Sequence, residues 1–427
     1  MKKIYIVSLG CPKNLVDTET AVYKFAEKGF AITFDEEDAD WVLINTCAFL
    51  NSAIKESKSA IKNYISLKEK GKIEKILVFG CLVEREKEKL LNDFPEIDGF
   101  FGVGSSDCID DFLKGGGNYF VKKFHTIGFE NRLLLTLNHS AYLKIADGCD
   151  NFCSYCAIPT IRGRFRSKKI EDVLEEAKLL VKNGVKEISL IAQDTTNYGS
   201  DIYSSPKLNN LLMKLEKIKK LKWIRLMYLY PSMIDNELLN IIKSSDKILH
   251  YIEIPIQHIS NRVLKLMNRR YTSYDIYKKI DLIKGKIKDV ALRSTFLVGF
   301  PGETDKDFKD LLKFLSYSKF NSLSIFKYSR EKGTMSYAMK QLDSRVKNER
   351  YKTLVSLQSL IVDELNKSII DKEFEVLFDS TDTARSYMDA PDIDGRFYIS
   401  NYRGKPGEFK KIKVLNAKGY IREGVVI

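Results

Sequence analysis

The stretch Tyr142–Cys156, YLKIADGCDNFCSYC, opens as an apolar strand and closes on Cys149, Cys153 and Cys156 in a Cys-x3-Cys-x2-Cys spacing. A strand that hands over to a cysteine-bearing loop puts the thiols at its C-terminal end, where α/β folds gather their ligands. Thiolates are soft ligands suited to iron–sulfur clusters or zinc, and a structural zinc site wants a fourth protein ligand. The loop supplies none, since the four histidines, His125, His139, His250 and His258, all lie outside it. Three thiolates on a four-iron cluster leave one iron open to an external molecule. An open iron that chelates the amino and carboxylate groups of S-adenosylmethionine can pass one electron into the sulfonium and release a deoxyadenosyl radical.

Downstream, the spacing predicts strands near Tyr142–Ala146, Glu187–Ala192, Ile224–Leu229, Ile248–Pro255, Val290–Val298 and Ser322–Tyr328, separated by helix-length amphipathic stretches. Six strand-plus-helix units predict a partial (β/α)6 barrel rather than a closed eight-fold one, over residues 135–367. A charged helix over Ser344–Asn366 ends this block. From Ser368 the texture changes to short strands, Phe374–Phe378, Gly395–Ile399, Phe409–Val414 and Tyr420–Arg422, with Gly and Pro between them. That pattern predicts a small all-β barrel over 368–427.

Upstream, strands near Ile4–Ser8, Trp41–Asn45, Lys75–Phe79 and Phe100–Val103 alternate with helices over Thr18–Lys28 and Asn51–Lys70, which fits an open doubly wound parallel sheet. This block covers residues 1–117 and ends at the run Gly115–Gly117, with a linker over 118–134. Cys11, Cys47 and Cys81 each stand just past the end of a strand, in IYIVSLGC, WVLINTC and KILVFGC. Repetition at one structural position in three successive units brings the thiols to a single sheet edge, where they suit a second iron–sulfur site. The plain alternative is three scattered core thiols. Cys108 has no such pattern and reads as a buried small apolar side chain.

At 427 residues the chain holds more than one domain, and its seven cysteines in a chain of this size do not describe a disulfide scaffold. The opening MKKIYIVSLGCPKN lacks the long apolar run of a signal peptide, and no stretch reaches the roughly 20 apolar residues that span a bilayer. The expectation is a cytoplasmic protein, with no membrane partner, whose thiols stay reduced. The net charge of +13 fits either an RNA-rich partner or lysine-rich composition bias. The last block contributes none of it, because residues 368–427 carry ten basic and ten acidic side chains. Eight of the acids fall in Asp371–Asp394, so an acidic face suited to a basic protein partner is expected there, with an ordinary solvated surface as the alternative.

Further motifs carry a resemblance. SLGCPKNLVDTE at Ser8–Glu19, NTCAFLNSA at Asn45–Ala53, IAQDTTNYG at Ile191–Gly199, IPIQH at Ile254–His258 and RSTFLVGFPGET at Arg293–Thr304 join the cysteine loop. Over nearly the whole chain these resemble the radical S-adenosylmethionine methylthiotransferases, whose C-terminal barrel is called TRAM. Within that family they resemble the branch that methylthiolates an aspartate of small-subunit ribosomal protein twelve. The segment ARSYMDAPDIDG at Ala384–Gly395 is similar to that branch's barrel as well. The sister branch, which modifies transfer RNA adenosine, has other residues after the first cysteine and in place of Gln257-His258. One departure is FKYSREKGT, with Arg330 where a proline is expected.

The resemblance implies that Cys149, Cys153 and Cys156 ligate a radical [4Fe–4S] cluster and that Cys11, Cys47 and Cys81 ligate an auxiliary [4Fe–4S] cluster. It implies S-adenosylmethionine as both methyl donor and radical source, with Tyr155 lying against its adenine and Phe296–Glu303 lining its pocket. Gln193, Asp194, Arg293 and Glu303 are the other pocket candidates, each with the alternative role of a cap or internal hydrogen bond. The Gly-Phe-Pro-Gly turn would form without any ligand. No catalytic side chain beyond the cluster ligands is assigned. The implied reaction replaces a hydrogen on the β-carbon of an aspartate by a methylthio group, with a flavodoxin or ferredoxin as low-potential electron donor. The transfer RNA methylthiotransferase is the alternative enzyme, and a two-cluster electron carrier the alternative outside catalysis, though a carrier wants four protein ligands per cluster.

Overall fold

A computed structural model of the protein describes residues 1–121 and 127–427. Residues 122–126, with His125 and part of the expected linker, lie outside the described residues. The chain divides into two compact units, one of Met1–Leu135, Lys144–Glu176 and Ser329–Thr334, the other of Thr136–Leu143, Ala177–Tyr328 and Met335–Ile427.

The first unit is built on a parallel sheet of β1 (Lys3–Ser8), β2 (Ala31–Thr33), β3 (Trp41–Thr46), β4 (Lys75–Gly80), β5 (Gly99–Phe101) and β6 (Tyr119–Phe120), in the order β2-β1-β3-β4-β5-β6. β3 is buried along its whole length, as a strand covered on both faces must be. Val42, Ile44 and Val78 pack with Ile61 and Tyr64 of helix α2 (Asn51–Glu69) on one face. Leu43, Leu77 and Phe79 pack with Val22 and Phe25 of helix α1 (Pro12–Glu27) on the other. Helix α1 starts six residues before the expected Thr18, because Pro12 supplies a preset φ at its first turn. β2 and β6 were not expected: strands of three and two residues are too short to carry a periodicity. β6 also extends the sheet past Gly117. Cys108 is buried beside Ile109 and Phe112.

The second unit takes most of β7 (Ser140–Lys144), whose last residue belongs to the first unit together with the antiparallel ribbon of β8 (Ala146–Asp147) and β9 (Arg166–Ser167). Its main sheet continues with β10 (Glu187–Ile191), β11 (Trp223–Leu226), β12 (Ile248–Gln257), β13 (Ala291–Val298) and β14 (Ser322–Lys327), in the order β14-β13-β12-β11-β10-β7. This is the expected six-stranded partial barrel. The expected small barrel is a closed ring of β15 (Glu373–Phe378), β16 (Thr383–Ser386), β17 (Arg396–Ile399), β18 (Phe409–Lys418) and β19 (Ile421–Val426). Among the described residues no helix is long and apolar enough to cross a membrane.

The small barrel is seated on the N-terminal halves of the parallel strands by buried polar contacts. Glu187, the first residue of β10, pairs with Arg225 of β11 at 3.0 Å and with Arg385 of β16 at 2.7 Å. Asp394 accepts a hydrogen bond from Tyr251 Oη at 2.8 Å and pairs with Arg293. Asp379 pairs with His139 at 2.9 Å and with Arg385 at 2.6 Å, and Asp389 with Arg422 at 2.6 Å. The acidic face expected over Asp371–Asp394 is therefore corrected: Asp379, Asp389 and Asp394 are consumed inside the unit. Two more acids, Glu373 and Glu375, stand opposite Lys413 and Lys411 across the β15–β18 pair, which cancels their field locally.

Candidate functional site

The first set of cysteines is assembled at the C-terminal ends of β1, β3 and β4. Cys11 is the residue that precedes α1, Cys47 follows β3, and Cys81 opens the short helix α3 (Cys81–Glu86). Gly10 has φ +99°, and a Cβ there would lie 2.8 Å from Cys47 Cβ and 3.1 Å from its sulfur. Only glycine allows the first two cysteine loops to approach that closely. Asn14, one turn into α1, knits all three loops. Its Nδ2 donates to Leu9 O at 3.1 Å and Thr46 O at 3.0 Å, and its Oδ1 lies 3.3 Å from Cys81 Sγ and 4.0 Å from Cys11 Sγ. Asn45 Nδ2 in turn donates to Asn14 O at 2.7 Å. Ser57 Oγ accepts from Cys47 N at 3.1 Å and donates to Cys47 O at 3.0 Å, which fixes the middle loop. Burial pushes the Cys47 thiol up and the Cys81 thiol up to about 12, with Arg162 pulling both down.

The second set lies in the same unit. Gly148 has φ +76°, and a Cβ there would fall onto the backbone of Gly163 and Arg164, so the loop turns against the segment that follows it. Cys149 N donates to Gly163 O at 3.2 Å and Cys156 N to Cys153 O at 3.0 Å. Asp150 Oδ1 accepts from Phe165 N at 3.2 Å, closing the loop onto the same stretch. Phe152, at φ +47°, is exposed under the guanidinium of Arg164. Tyr155 is half-buried in this loop.

Sequence reasoning missed the charges that lie between the two sets. Arg162 is buried, with Nη1 at 2.9 Å from Asp147 Oδ2 and Nη2 at 2.9 Å from Asp17 Oδ2 and 2.6 Å from Asn14 Oδ1. Lys144 pairs with Asp17, and with Asp147 at 3.6 Å. A signal was available: Asn14 and Asp17 stand three apart on α1, three and six residues after Cys11 at its cap, which puts polar groups on a face beside a proposed ligand.

The remaining candidates lie in the second unit. Gln193 and Asp194 follow β10, where Asp194 Oδ1 accepts from Thr196 Oγ1 at 2.6 Å and Asn197 N at 3.2 Å and so caps a short turn. Glu303 follows β13. Its Oε2 accepts from Gly299 N at 2.6 Å and Phe300 N at 3.1 Å, its Oε1 pairs with Arg350 at 3.0 Å, and burial raises its carboxyl to about 7. It ties the Gly-Phe-Pro-Gly turn. Arg293 departs from expectation: as the third residue of β13 it is remote from the strand end, and its guanidinium is given to Asp394, Glu253, Ser322 and Ser324. We read it as a residue of the fold.

Among the described residues no three His, Cys, Asp or Glu side chains are gathered closely enough to chelate a single metal ion. Three thiolates are the donor set of a four-iron cluster with one open iron, whereas a single structural ion wants a fourth ligand. Both sets are all-sulfur and embedded in loops held by glycine and by backbone hydrogen bonds.

Residues 3–102 match the model of Uncharacterized protein family UPF0004, residues 143–315 that of the Radical SAM superfamily, and residues 367–427 that of the TRAM domain. Over 430 residues the chain is 46% identical to the ribosomal protein uS12 methylthiotransferase RimO of Elusimicrobium minutum, with 100% of each covered. The chain belongs to the RimO family of methylthiotransferases. It is also 43% identical to the enzyme of that name from Clostridioides difficile, covering 100% of this chain and 99% of the relative. Among solved structures, the radical S-adenosylmethionine methyltransferase TsrM from Kitasatospora setae shares the fold, at TM-score 0.59 and 14% identity over 79% of this chain and 77% of that one. Membership makes the chain a radical S-adenosylmethionine methylthiotransferase, an enzyme that works with S-adenosylmethionine and a [4Fe–4S] cluster.

Proposed function

We infer that the chain attaches a methylthio group to the β-carbon of an aspartate in ribosomal protein uS12, with Cys149, Cys153 and Cys156 holding the radical cluster and Cys11, Cys47 and Cys81 a second, auxiliary one. The observation that carries this reading is the presence in one compact unit of two all-cysteine sets with three thiols each, the arrangement expected when each cluster keeps an open iron. The relatives' printed substrate supports the target protein. When bound, the clusters and S-adenosylmethionine supply the one-electron chemistry that breaks an unactivated C–H bond, which no side chain here could deprotonate.

The chain's own residues bind and orient. Gly10 lets the first two cysteine loops touch, Asn14 fixes their spacing from Cys81, and Gly148 turns the second loop onto its support. Tyr155, Gln193, Asp194 and Glu303 are the side chains proposed to meet S-adenosylmethionine. Glu303 does so from a turn it clamps itself. The electron donor is proposed to be a flavodoxin or ferredoxin.

Mass spectrometry of uS12 from a strain lacking the gene tests this. Loss of the methylthio group from the aspartate is expected. Unchanged uS12, with methylthio-adenosine missing from transfer RNA, would move the protein to the sister branch.

A further inference from the structure

Arg162 is 1% exposed and follows the second cysteine loop, yet one of its nitrogens serves the first set. Nη2 contacts Asn14 Oδ1, Asp17 Oδ2 and, at 3.6 Å, the sulfur of Cys81. Nη1 holds both carboxylate oxygens of Asp147, at 3.1 and 2.9 Å, and Asp147 Oδ1 accepts from the backbone N of Gly148, next to Cys149, at 2.9 Å. A single rigid guanidinium thus spans from the residue that turns the radical loop to a sulfur of the other set. Lys144 adds a second cation against the same two aspartates, so the patch is charge-balanced before any cluster is present.

We propose that Arg162 is the positioning residue that couples the two cluster sites, and that an Nη2–H shared between Cys81 and the nearer oxygens of Asn14 and Asp17 raises the reduction potential of the auxiliary cluster. The proposal rests on the reading that Cys11, Cys47 and Cys81 hold that cluster. N–H···S hydrogen bonds draw charge from the sulfur and favour the reduced, more negative cluster, which is a recognised control on iron–sulfur potentials. The planar fork is what allows it. Lysine would keep the charge but could not bond Asp147, Asp17 and Cys81 at once.

The test uses the full chain with Cys149, Cys153 and Cys156 replaced by alanine, so that only the auxiliary site can hold iron. If this parent binds no cluster, the reading beneath the proposal fails. If it binds one, EPR-monitored titration of its one-electron reduction is compared with the same protein carrying Arg162→Lys. A shift to more negative potential, with iron content retained, is expected. An unchanged potential would overturn the proposal. Should Arg162→Lys not fold, the parent labelled with 15N in its arginine guanidinium groups decides: a 15N hyperfine coupling in the pulsed EPR spectrum of the reduced cluster supports the contact, and its absence overturns it.

Discussion

The side-chain oxygen of Asn14 lies 3.3 Å from the sulfur of Cys81, a residue 67 positions further along the chain. Asn14 also takes the backbone oxygens of Leu9 and Thr46, so a single carboxamide sets the geometry of three loops that each carry a cysteine. Replacing Asn14 by alanine leaves those buried acceptors unpaired at about 1–3 kcal/mol for each group. Iron content of Asn14→Ala is expected to fall toward that of a single cluster while deoxyadenosine formation persists. Iron analysis beside a deoxyadenosine assay checks this.

Gly148→Ala places a methyl group on the backbone of Arg164 at a left-handed φ of +76°. The conformation alone costs about 1–2 kcal/mol for a side chain, and the clash adds to it. Loss of the radical cluster, read as loss of deoxyadenosine formation, is expected with the fold retained by circular dichroism.

Asp394 is held by Arg293 and Tyr251 in the interior of the second unit. Asp394→Ala would remove one of the two carboxylates that face the buried Arg293 and leave Glu253, so the loss is that of unmade buried hydrogen bonds, about 1–3 kcal/mol. A matching loss of unfolding free energy in a denaturant titration is expected. An effect below about 1 kcal/mol would place the pair among surface-type contacts.

His258 is fully buried, its Nδ1 accepts from Ser260 N at 3.0 Å, and burial lowers its pKa to about 3 despite Asp307 nearby. The unfolded chain takes up this proton near pH 6.5 while the fold resists it. Stability from the neutral ring is therefore complete above pH 6.5 and is lost as pH falls toward 3, by about 2 kcal/mol at pH 5. His258→Asn should flatten the decline in unfolding free energy between pH 6.5 and 5.

Much of the architecture is legible in the sequence because its strands are long buried runs such as Trp41–Thr46 followed by turn residues. β2 and β6 are illegible because strands of three and two residues gain their identity from neighbours. The six cysteines stand out by spacing, whereas Arg162 and Asp147 do not: a charge that is neutralised across the fold looks like any surface charge in the chain. The same blindness produced the expected acidic face. Asp379, Asp389 and Asp394 count as surface acids in composition, yet their arginine and histidine partners come from distant strands and loops.

The central claim is that the two cysteine sets do separate jobs. Parallel quantification of deoxyadenosine and methylthiolated uS12 tests it in two triple variants. With Cys149, Cys153 and Cys156 replaced by alanine, both products should vanish. With Cys11, Cys47 and Cys81 replaced, deoxyadenosine should still form and the methylthio product should not. Deoxyadenosine from the first variant, or methylthiolated uS12 from the second, would contradict the account.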